Sequence, residues 1–215
     1  TISRLQDRIG ERFPERGISG VCQQLRELAP EVAQTATTLS RPNLLLRGAV
    51  GLVILAAIGL VFRLFRLLEL DGIETGAFSF FQGLEALLNV VILSAAGIWF
   101  LLTLETRFKR SAALERLHEL RSIAHVIDTH QLTKTPVAIL EGGSKTASSP
   151  DRSLSPFELR RYLDYCSEML SLTGKLAALY LAHSRDSVVI QAVNEVEELT
   201  SDLSRKIWQK ISVMA

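Results

Sequence analysis

This sequence is short of several things that would narrow its function quickly. It has two cysteines, Cys22 and Cys166, too few for a disulfide framework and without the Cys-x-x-Cys spacing of a metal site. Both lie in amphipathic stretches, so reduced, half-buried thiols are expected. Charge of one sign is also missing: 24 basic residues face 23 acidic ones, for a net +1, whereas a nucleic-acid binder normally carries a basic field. No Asn-x-Ser/Thr sequon occurs, and no short apolar segment with a cleavage site opens the chain. Neither Gly-x-Ser-x-Gly nor His-Glu-x-x-His is present. Gly142-Gly143-Ser144-Lys145 matches the end of a phosphate loop but lacks its upstream glycine and its strand–helix setting, so it reads as linker. No stretch alternates as a strand would. The expectation is an all-α protein that is not an enzyme, with no catalytic residue, cofactor or metal.

What is present is apolar sequence in two blocks. Hydrophobic residues make up 47% of the chain, and the mean hydropathy is +0.22. The longer block, Ala86 to Leu104, is followed without a proline by the charged, amphipathic stretch Glu105 to Gln131. One helix starting near Ser79 accounts for both: it crosses a bilayer and continues as a stalk of about 40 Å. Ser79 and Gln82 have the spacing of a capping box, and Phe78, Phe80, Phe81 and Trp99 suit the membrane interfaces. The other block, Leu44 to Phe62 with a continuation to Leu70, has an uninterrupted apolar core from Gly48 bracketed by Arg47 and Arg63. Both arginines would have to extend outward along the helix. Pro42 is placed to open this helix and Asp71-Gly72 to end it. The two blocks, joined by a short connection through Ile73 to Phe78, form a transmembrane hairpin. Arg41, Arg47, Arg107, Lys109 and Arg110 flank it on one side and Glu69, Asp71, Glu74 and Glu85 on the other. The positive-inside rule then puts both termini in the cytosol, as for a multi-pass protein of a bacterial inner membrane, although Arg63 and Arg66 lie on the opposite side.

The flanking segments read as cytosolic amphipathic helices that pack as a bundle. In Thr1 to Phe13, Ile2, Leu5, Ile9 and Phe13 recur at i+3 and i+4. Beside them Arg4, Arg8, Arg12 and Arg16 face Asp7, Glu11 and Glu15 as a lattice of i+3 pairs. A second seam, Ile18, Val21, Leu25, Leu28 and Val32, should be kinked or restarted at Pro30, with Thr35 to Asn43 as a polar connection. Leu132 to Pro156 is a Gly-, Ser- and Pro-rich linker in which Val137 to Leu140 could dock as a short extended piece. Ser155, Pro156 and Glu158 combine an N-cap, a first-position proline and a capping-box acid. They open a helix to about Ala182, paired with a second from about Asp186 to Val213 whose inner face is Val189, Val193, Val196, Leu203, Ile207 and Ile211. Tyr162, Tyr165 and Trp208 read as core aromatics. The resulting parts are 1–42, 43–104 (hairpin), 105–131 (stalk), 132–155 (linker) and 156–215.

Two groups of residues stand out as sites of interaction. His118, Arg121, His125 and Asp128 form a stripe beside Leu117, Leu120, Ala124 and Ile127. It could be a polar seam between stalks, a pH-sensitive contact or a solvated flank. Glu115 and His118 have the Glu-x-x-His spacing of di-iron bundles, but the second copy is missing. In the spans, Gly48, Gly51 and Gly59 make a smooth strip for close helix approach. Glu85, Asn89 and Ala96 share a face that could pack on a neighbour or line a pore. The function expected is a non-enzymatic scaffold, adaptor or accessory subunit that is held in the lipid bilayer, binds a protein partner or assembles as a homo-oligomer, and does not bind nucleic acid. The alternative is a homo-oligomeric channel or pore-forming effector. In having two spans and cytosolic helices, this layout resembles the membrane-acting effectors of bacterial defence.

Overall fold

A computed structural model of the protein describes residues 1–14, 16–70, 77–134 and 154–214. The described residues form six helices and no strand: α1 Ile2–Arg12, α2 Gly17–Ser40, α3 Leu44–Leu70, α4 Ala77–Leu132, α5 Pro156–Ala178 and α6 Ser187–Ser212. They fall into two compact units. One comprises Thr1–Ser40 and Arg110–Ala215, the other Arg41–Lys109. The connection after Leu70, with its Asp71-Gly72 signal, and the extended piece at Val137 to Leu140 lie outside the described residues.

The first unit is built around one apolar cluster to which α1, α2, the later part of α4, α5 and α6 all contribute. Each amphipathic seam read from the sequence is buried in it: Leu5 and Ile9; Ile18 through Val32; Leu117, Leu120, Ala124 and Ile127; Val189 through Ile211. Phe13 meets Tyr162 and Tyr165 edge-on at 5.5 and 6.2 Å. Two sets of contacts identify the ends of this unit. At one end His130 of α4 fills the space beside Gly17 at the start of α2, and Lys210 donates to the Gln131 carbonyl at 2.8 Å. At the other end Leu39 of α2 packs against the core and Arg110 of α4 pairs with Asp186 at 2.7 Å. Arg116 and Glu31, 2.9 Å apart, tie α2 to α4 between them.

Several local expectations are corrected. α2 is not restarted at Pro30, which lies inside one continuous helix. The helix runs through Thr35 to Ser40, where the hydroxyls of Thr37, Thr38 and Ser40 donate to carbonyls three residues back. The burial of Leu28, Val32 and Ala36 on both sides of the proline offsets the one lost hydrogen bond. Pro42 does not open α3; Asn43 does, its side-chain oxygen accepting from the Leu46 N–H at 3.2 Å. Helix α4 begins at Ala77, two residues before Ser79. Trp208 is 59% exposed, not a core residue, because α6 turns the face carrying Leu203, Ile207 and Ile211 inward. The two thiols are fully buried, not half-buried, and burial pushes Cys22 up to about 11 and Cys166 up to about 12. Arg8 reaches Glu168 of α5 at 2.6 Å and Arg12 stacks on Phe157, so these two arginines engage the neighbouring helix. The capping box is present as expected: Ser155 Oγ accepts from the Glu158 N–H, and the Glu158 carboxylate accepts from the Ser155 N–H at 2.8 Å.

The second unit is of a different kind. Helices α3 and α4 each hold a stretch long and apolar enough to cross a membrane. Among the described residues of 41–109 only Val50 is buried. Leu52 and Leu55 of α3 are 70% and 72% exposed, and Leu93 and Trp99 of α4 are 73% and 72% exposed.

α5 and α6 approach closely at Gly174, where an added Cβ would lie 2.8 Å from Thr200 Oγ1. That hydroxyl is buried and donates to the Val196 carbonyl at 2.9 Å, so it has little freedom to retreat. Gly174→Ala is expected to destabilise the unit by about 1–3 kcal/mol through overpacking, despite the better helix propensity of alanine. Adding Thr200→Ala should recover most of that loss, read as the midpoint of thermal unfolding by circular dichroism.

Candidate functional site

The most developed polar cluster in the second unit surrounds Glu105, the first residue after the apolar run of α4. Its carboxylate is 14% exposed and has three partners. The Asn43 N–H, at the start of α3, donates to Oε1 at 3.0 Å. Arg47 Nε donates to Oε2 at 2.9 Å. Lys109 Nζ, one turn on along α4, lies 2.8 Å from Oε1 and also donates to the Arg41 carbonyl at 2.7 Å. A negative charge is thus set against the N-terminus of α3, where unpaired N–H groups and the helix dipole favour an anion. Arg47, which the sequence places inside an apolar stretch, acquires a counter-charge. The Lys109 hydrogen bond, then the Asn43 N–H, then the Arg47 guanidinium hold the Glu105 carboxyl down to about 2 from its ordinary 4.5.

The sequence does not mark this cluster. Residues 41, 43, 47, 105 and 109 look like unrelated flanking polar residues, and only the approach of the start of α3 to Glu105 and Lys109 of α4 brings them together. The usable signal was a lone acid between an apolar run and a basic segment.

The stripe on α4 divides its roles. Arg121 pairs with Glu195 of α6 at 3.2 Å. Asp128, half-buried, accepts from Gln131 Nε2. His118 and His125 are exposed, His118 lying in a shallow depression with Ser111, Leu114, Glu115, Glu119 and Ser122. Among the described residues no group of three or more His, Cys, Asp or Glu side chains is placed to hold a metal ion. In the apolar helices, a Cβ added at Gly48, Gly51 or Gly59 would meet no described atom within 4 Å. Glu85, Asn89 and Ala96 are all exposed.

At the end of the first unit that holds Arg110, Asp186 caps α6, accepting from the Val188 and Val189 N–H groups, and Arg110 Nε donates to it at 2.8 Å. Burial works to raise its pKa, but Arg110 and the two N–H groups outweigh that and hold the carboxyl below the usual range.

Because its folded pKa is depressed, Glu105 contributes stability that is present above about 4.5 and lost as pH falls towards about 2. Glu105→Gln is expected to cost about 1–3 kcal/mol at pH 7, the scale of hydrogen bonds to a charged group. Unfolding in mixed detergent micelles should show the gap between wild type and variant closing as the pH is taken from 5 to 2. A gap that stays constant across that range would mean that the carboxylate charge is not what holds the cluster.

Comparison of the chain with protein-family models, with curated proteins and with solved structures gave no match.

Proposed function

We propose that this is an integral membrane protein in which α3 and the apolar part of α4 form a two-span hairpin, with both termini in the cytosol. The helices of the first unit pack there as a bundle that acts as a non-enzymatic scaffold, adaptor or accessory module for a protein partner. The observation that carries the membrane reading is the contrast between the units. The first buries its apolar seams in a shared core, while the apolar helices of the second leave side chains such as Leu55 and Leu93 largely uncovered. Water penalises such a surface by roughly 25 cal/mol per Å², and hydrocarbon does not. The Glu105 cluster fits the boundary of the spans, where charge can reach water while still capping α3. The adaptor reading rests on the outer face of α4, whose His118 and His125 are exposed beside a well-packed interior.

A second reading, a homo-oligomeric pore, is favoured by one observation: Glu85 and Asn89 are exposed on an otherwise apolar helix face. Polar groups at membrane depth usually face another helix or water. The uncovered Gly48–Gly51–Gly59 strip would let a second copy approach closely.

Alkaline carbonate treatment of membranes is expected to leave the chain in the pellet; release into the supernatant defeats the spanning reading. Native mass spectrometry from its own membranes should give complexes that contain a second protein. A closed ring of this chain alone would instead favour the pore, and Asn89→Leu should then change single-channel conductance in planar bilayers.

A further inference from the structure

Arg63 and Arg66 are the two basic residues that the charge pattern of the flanks leaves unexplained. Both side chains are exposed on α3, and among the described residues no carboxylate pairs with either. Arg66 reaches back one turn along the helix, its Cζ lying 5.1 Å from the centre of the Phe62 ring. That ring is itself 59% exposed. One guanidinium is thus drawn to the turn on which the other stands, over an aromatic face that attracts cations. Two planar donor groups of fixed charge on one turn suit an oxyanion, which each can meet with paired N–H groups.

Their depth follows from the Glu105 cluster. The Asn43 N–H bonded to Glu105 marks one level on both apolar helices at once. From Asn43 to Arg63 along α3 is twenty residues, and from Glu105 back to Glu85 along α4 is also twenty. No Asp, Glu, Lys or Arg lies between Arg47 and Arg63 or between Glu85 and Glu105. At helical rise each interval is about 30 Å, the thickness of the hydrocarbon core of a bilayer. With Glu105 at one headgroup layer, Arg63 and Arg66 stand at the other. The abundant oxyanions there are the phosphates of phospholipids, and a basic group at that depth meets them without leaving the helix surface.

We propose that Arg63 and Arg66 form a binding site for the phosphate of a phospholipid in the leaflet opposite the Glu105 cluster. This rests on the spanning reading of α3 and α4, which alkaline carbonate treatment scores separately. The test is solid-state NMR of the full chain, with arginine Cζ enriched in carbon-13, in phosphatidylcholine–phosphatidylglycerol bilayers in buffer free of phosphate. Recoupling to phosphorus-31 attenuates only those carbons that contact a phosphate. Arg63→Lys and Arg66→Lys, which keep the charge, each remove one resonance and so assign the pair. Both resonances are expected to lose most of their intensity under recoupling, whereas that of Arg121, held by Glu195, keeps its own.

Resonances of Arg63 and Arg66 that stay at full intensity, with the chain in the carbonate pellet, overturn the site and leave the spans standing. Equal attenuation of Arg121 would mean diffuse contact with headgroups, and it overturns the proposal too. The same chain in phosphorus-free maltoside micelles with added inorganic phosphate tests the other source of the anion. Attenuation of the pair there, as strong as in bilayers, overturns the assignment to lipid. If carbonate releases the wild-type chain, the spanning reading fails and this inference fails with it.

Discussion

A carboxylate at the end of an apolar run constrains much of what surrounds it. Glu105 occupies the N-terminal end of α3, where backbone donors have no intrahelical acceptors, and it does so together with Arg47 and Lys109. Replacing any of these contacts by a hydrocarbon neighbour would strand a helix N-terminus, a guanidinium or an ammonium. The pairing of α3 with α4 at this level is therefore specified by polar chemistry. The apolar faces above it carry little such information, since leucines and valines on both helices are interchangeable in register. One acid supplies what the apolar sequences of the two helices lack.

The first unit follows a different logic. Its interior is specified by periodicity: buried positions recur at three and four residues along every helix, and their burial was legible because amphipathic spacing is a local property of sequence. The α5 N-cap was legible for the same reason, since Ser155, Pro156 and Glu158 act on one another across a single turn. Trp208 was misread because periodicity identifies a stripe without saying how wide it is, and this indole sits just outside the stripe defined by Leu203, Ile207 and Ile211. The restart expected at Pro30 does not occur, because the cost of a proline is set by the packing around it, which no window of sequence contains.

The polar clusters were the least legible part. Arg110 with Asp186, Arg8 with Glu168 and Glu105 with Arg47 join residues 76, 160 and 58 positions apart. Nothing in either partner's neighbourhood announces the other. The histidine stripe was visible as a stripe, but its members have separate partners: Arg121 turns to α6 and Asp128 to Gln131, while His118 and His125 remain at the surface. A face that looks uniform on a helical wheel is divided by what packs beside it.

The first unit is assembled from two separated pieces of chain, 1–40 and 110–215. Helices α1 and α2 leave the ribosome with Leu5, Ile9, Ile18 and Leu25 already in a row, yet the helices that cover those side chains come later. Ser212, at the end of α6, follows Ser40 by 172 residues. At ordinary elongation rates the N-terminal pair would wait roughly ten to thirty seconds for its complement. Throughout that interval its adhesive face is open to chaperones and to unfinished neighbours on the same message. A covalently intact protein whose core is interrupted by its most hydrophobic segment carries this exposure as a built-in hazard of biosynthesis.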